Sequence, residues 1–141
     1  MRETMNSNEA FARDVQAVKI RLKEKFGLIE DIARFDATLF RKLVAENIDM
    51  SQTRIEIDSL ENAEIHDALG LSEYSDQLVV VDKNLSMLSF SVAKRDFVSN
   101  FDDFFYPGDD LLILDASSQK VVCWIDHEEF AVLPTSPRAR G

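Results

Sequence analysis

The chain predicts an α+β fold in which amphipathic N-terminal helices pack on a mostly antiparallel sheet built largely from the C-terminal half. Three observations carry that prediction. Apolar residues recur at helical spacing early in the chain, and short apolar or alternating runs separated by polar turns fill the later part. The hydrophobic content of 45%, with ten Phe in 141 residues, is enough for a core without cross-links. Residues 1–133 are read as one α+β domain, and the tail 134–141, with two prolines and two arginines, as disordered.

From Ser7 onward, Phe11, Val15, Val18 and Leu22 recur at alternating steps of four and three. Glu9 and Asp14 lie early and Lys23 and Lys25 late, which suits a helix macrodipole, and Gly27 is the expected stop. Asp36 is placed to cap a second helix that buries Leu39, Phe40, Leu43 and Val44. The alternation Arg54-Ile55-Glu56-Ile57 predicts a half-buried strand, and Asp58-Ser59 caps a short helix that runs through Leu69 and closes at Gly70.

Leu78–Val81 and Met87–Val92 read as strands joined by the turn Asp82-Lys83-Asn84. Lys94–Phe105 places Phe97, Val98, Phe101, Phe104 and Phe105 on one helical stripe, broken at Pro107-Gly108. A last hairpin pairs Leu111–Leu114 with Val121–Ile125 around Ser117-Ser118-Gln119, and Phe130–Leu133 adds a short strand. Both long strands are apolar on both faces, which predicts central positions in a sheet covered on two sides or an outer face used for contact.

Charge narrows the function classes. The net charge is −10. Residues 1–35 carry seven Lys/Arg against six Asp/Glu, so the acidity belongs to the rest of the chain. Nucleic-acid binding needs clustered cations and is excluded on this balance. Charges interrupt every apolar run, so no membrane span is expected, and the single cysteine and lack of an apolar leader lead to a cytoplasmic assignment.

The strongest candidate for function is a set of acidic residues at the ends of the last hairpin. Asp102 and Asp103 precede it, Asp109 and Asp110 enter it, and Asp126, His127, Glu128 and Glu129 leave it. Entry and exit of an antiparallel hairpin are neighbours, so these carboxylates are expected on one rim. Such a rim can dock a basic protein, hold a divalent cation through oxygen ligands, or serve as solvated turns and backbone caps. The spacing matches neither a calcium loop nor a zinc pattern, so no metal and no cofactor are assigned. Tyr106 falls outside the helical stripe and is a candidate aromatic anchor beside the rim; Trp124 is expected in the core, and would be an anchor of the same kind if it faced outward. Cys123 lies in an apolar run and reads as core filling, and His66 as a surface histidine. With no nucleophile elbow and no phosphate loop, no catalytic residue is assigned and the chain is read as a non-enzyme.

The stretch Asp103-Phe104-Phe105-Tyr106-Pro107-Gly108-Asp109-Asp110-Leu111-Leu112-Ile113-Leu114, followed by Cys123-Trp124-Ile125-Asp126-His127-Glu128, resembles the C-terminal part of small bacterial proteins. Some of these are encoded beside polymorphic toxins as candidate immunity proteins. They tend to have serines after the proline, where this chain has Gly108. The resemblance implies stoichiometric inhibition of a toxin rather than catalysis, and the acidic rim points to a basic partner. Two other readings are open at this point: an adaptor or regulatory interaction module, and a metal-dependent hydrolase using Asp109, Asp110, Asp126, His127 and Glu128.

Overall fold

In the computed structural model, which describes residues 7–48, 54–104, 110–126 and 130–134, the first periodic stretch forms helix α1 (Ser7–Leu22). Val18 and Leu22 are buried, and Phe11 and Val15 pack half-buried against the same core. The helix stops earlier than Gly27. Lys23 takes the left-handed backbone conformation (φ 57°) that ends many helices, and a 3₁₀ turn runs from Lys23 to Leu28. Strand β1 (Ile29–Arg34) follows, an element the sequence pattern does not reveal. A bulge between Glu30 and Ala33, with Asp31 at φ 53°, shifts the alternation and hides the period of two.

Helix α2 (Ala37–Asn47) starts as expected: the Asp36 carboxylate accepts from the backbone N–H groups of Thr38 (2.7 Å) and Leu39 (3.0 Å). Phe40 is buried and Leu43 and Val44 partly so, but Leu39 points outward, 38% exposed. Strand β2 (Arg54–Glu56) is one residue shorter than predicted, because Ile57 begins a 3₁₀ turn and is buried there. The cap of helix α3 (Asn62–Ala68) is Glu61 rather than Asp58-Ser59, with the Glu64 side chain accepting from the Glu61 N–H at 2.8 Å. Gly70 (φ 63°) closes that helix as expected.

Strands β3 (Gln77–Asp82) and β4 (Leu88–Ala93) form the predicted hairpin, with Met87 in the connection rather than the strand. Ser86 and Met87 both take positive φ there, which turns the chain back into register. Helix α4 covers only Lys94–Ser99 and is not one helix reaching Phe105. The Asn100 side chain donates to the Asp96 carbonyl at 3.0 Å, and a 3₁₀ turn takes over from Phe101 to Phe104. The phenylalanine stripe survives the break. Phe97, Phe101 and Phe104 are buried, with Phe97 edge-on to Phe101 (5.4 Å) and stacked on Phe104 (5.9 Å). Phe105 lies outside the described residues.

Strands β5 (Asp110–Asp115), β6 (Val121–Asp126) and β7 (Phe130–Val132) complete a seven-stranded sheet of order β1-β4-β3-β5-β6-β7-β2, in which every neighbouring pair is antiparallel. The fold is α+β, with the sheet drawn largely from the C-terminal half. On one face Leu78, Val80, Phe90, Leu111, Ile113 and Ile125 meet α1, α3, α4 and the Phe101–Phe104 turn. On the other, Val81, Leu112, Leu114 and Val121 meet Phe40 of α2. Two-sided cover is why β5 and β6 tolerate consecutive apolar residues, as expected of central strands, whereas β3, read from the sequence as part of a hairpin with one covered face, is also covered on both, with Val80 on one side and Val81 on the other. Pro134, placed by the sequence reading in the tail, bridges to Ile48, and the remaining tail residues lie outside the described set. No helix among the described residues is long and apolar enough to cross a membrane.

Candidate functional site

Of the hairpin rim predicted from the sequence, Asp110 and Asp126 are among the described residues, and they stand directly opposite each other in the β5–β6 register. The ladder then continues across the sheet. Asp126 pairs with Phe130 of β7, and Phe130 with Glu56 of β2. Directly opposed residues of antiparallel strands project to the same face, so Asp110, Asp126, Phe130 and Glu56 form one row across four strands. At about 4.8 Å per strand the row is about 14 Å long. The next row inward on that face is Leu112, Trp124, Val132 and Arg54, again by direct register. This is the α2 face, since Leu112 and Trp124 pack with Phe40.

Lys83 and Arg54 are cations at these rows. Lys83, at the end of β3, lies 4.0 Å from the Asp110 carboxylate, and its own side chain is 51% exposed. Arg54 holds its guanidinium 4.9 Å above the Phe130 ring. Behind the rim, Asp82 is buried opposite Leu111 and accepts from the Asn84 N–H at 3.0 Å, which orders the turn that carries Lys83.

Asp102 and Asp103 do not join this row. They sit in the 3₁₀ turn after α4, where the Lys25 ammonium donates to the Asp103 carboxylate and Asp102 is exposed. Asp103 joins that turn to the 3₁₀ turn after α1, so the eight-residue set read from the sequence is split. Tyr106, Asp109, His127, Glu128 and Glu129 lie outside the described residues. Glu56, Phe130 and Lys83 are rim residues that sequence reasoning missed. The charged alternation of β2 was visible, but only the pairing of β2 with β7 brings it to the rim.

Asp115, at the other end of β5, has a different role. It is 4% exposed, and its carboxylate accepts from Ser75 N–H (2.9 Å) and Oγ (2.6 Å), Ser117 Oγ (3.1 Å), and Ser118 N–H (3.1 Å) and Oγ (2.6 Å). Burial alone would raise its pKa, but the bonds from Ser118 and Ser75 outweigh that and hold the carboxyl well below the usual carboxylate range. The group ties the β5–β6 turn to the segment before β3.

Cys123 is fully buried on β6, and burial pushes its thiol pKa far up, away from nucleophilic use at neutral pH. His66 lies on α3, which packs on the opposite face of the sheet, with Nδ1 3.7 Å from Asp67. Among the described residues no three His, Cys, Asp or Glu side chains converge on a point where a metal ion could be held. Comparison of the chain with protein-family models, with curated proteins and with solved structures finds no match.

Proposed function

We propose that this chain is an acidic binding protein, an immunity protein that stoichiometrically inhibits a cognate toxin by docking a basic surface of that toxin on the Asp110–Asp126–Glu56 row. One observation carries the reading. The Asp110, Asp126 and Glu56 carboxylates stand in one row on one face of the sheet, by direct register through Phe130. A partner that brings lysines or arginines to this row meets charges of opposite sign.

The net charge of −10 acts at longer range: it steers a basic partner toward the chain and speeds encounter, an effect that falls as salt rises. The test is co-expression of the chain with the products of adjacent reading frames. One such product is expected to be toxic alone and neutralised by the wild-type chain. The charge reversal E56K/D110K/D126K, shown by circular dichroism to be folded, is expected to lose the neutralisation. If no adjacent product is both toxic and neutralised, the inhibitor reading is wrong.

A further inference from the structure

We infer that Trp124 is the aromatic anchor of this docking surface, taking an arginine side chain of a basic protein partner against its ring between Asp110 and Asp126. The inference rests on the acidic-row reading and adds to it a second, apolar determinant. Residues 121–125 of β6 are buried except for Trp124, which is only partly so. Its indole Nε1 is nevertheless buried and has no hydrogen-bond partner among the described residues. Trp124 is thus inverted relative to the usual arrangement, in which a half-buried tryptophan keeps its N–H bonded or in water and hides its carbon surface. Here the only polar atom of the side chain is hidden, so all the surface the side chain leaves to solvent is carbon. An unbonded buried N–H costs free energy that an outward-facing N–H would avoid.

The neighbours say what that carbon surface suits. Asp126 is two residues along the same strand face, Asp110 is diagonal across β5, and Phe130 is diagonal across β7. An aromatic ring among carboxylates attracts a cation twice, through the ring quadrupole and through charge, and a guanidinium exploits both better than an ammonium because it is planar. The chain already shows this geometry once on the same face, in Arg54 above Phe130. Charge complementarity therefore selects a basic protein surface that presents arginine.

Trp124 is the sole tryptophan in the chain, so its emission reports the site directly. The probes are hexa-arginine and hexa-lysine, titrated into the intact wild-type protein by fluorescence and by calorimetry. Hexa-arginine is expected to change the emission saturably and to bind tighter than hexa-lysine. D110N/D126N is expected to weaken both peptides about tenfold, the scale of two partly screened charge pairs. In Trp124→Leu, checked for folding by circular dichroism, the preference for hexa-arginine is expected to vanish while the acidic row still binds. Equal binding of the two peptides with unchanged emission would overturn the anchor and leave the acidic row intact. Binding of neither peptide, or binding indifferent to D110N/D126N, would overturn the acidic-row reading and the anchor with it.

Discussion

Replacing Asp115 by asparagine keeps the side-chain volume, removes the charge, and turns one acceptor into a donor that faces other donors. Five hydrogen bonds converge on this carboxylate, from Ser75, Ser117 and Ser118. Bonds to a charged acceptor are worth about 1.5–3 kcal/mol each in isolation, but neighbouring bonds do not add, and water can recover part of the loss at a turn. A destabilisation of about 2–4 kcal/mol is expected, a large share of the roughly 5–15 kcal/mol that holds a typical domain together. At roughly 3–5 °C per kcal/mol for a chain of this size, the midpoint falls by roughly 6–20 °C.

The assay is urea denaturation with parallel thermal melts, repeated across pH. The folded pKa of Asp115 lies below its unfolded value, so its contribution is present above the unfolded pKa of about 4 and lost as pH falls from there through the folded value. Wild-type stability should therefore decline below about pH 4 more steeply than that of Asp115→Asn. A loss under about 0.5 kcal/mol at pH 7, or parallel acid slopes for the two proteins, would refute the clasp as a stabilising element.

Two further outcomes follow from the core. Phe97 is fully buried between Phe101 and Phe104, and Phe97→Ala is expected to cost about 3–5 kcal/mol in urea denaturation, whereas Phe97→Leu should cost visibly less. The Cys123 thiol is buried with its pKa raised, so a thiol reagent at pH 8 should label it only as fast as the protein opens, and at once in denaturant.

The elements most legible in the sequence are those whose signal is local. The Asp36 cap, the Gly70 stop and the phenylalanine stripe each depend on residues within one or two helical turns, and each is where it was expected. The misses have local causes of another kind. Lys23 in a left-handed conformation overrides the Gly27 stop, Asn100 bonding back to Asp96 breaks a helix that periodicity would continue, and the bulge at Asp31 erases the alternation of β1. In the candidate site, the Asp110–Asp126 pair could be read from hairpin geometry alone. Glu56 and Phe130 could not, because β2 reaches that rim by pairing with β7, some 75 positions later in the chain.

Composition and pattern by themselves determined that this is an acidic α+β chain with an acid-rich hairpin and a buried, inert thiol, because charge balance and burial preference are properties of residue types and short runs. Tertiary structure alone decided strand order, which separates Asp102 and Asp103 from the rim and aligns Asp110, Asp126, Phe130 and Glu56 in one row. It also decided the pose of Trp124, whose N–H is hidden and whose accessible side-chain surface is carbon. The physical reason is that a strand's partners are chosen by which faces α1, α3 and α4 on one side and α2 on the other can bury together. That choice is made by the assembled core and is written in no single stretch of sequence.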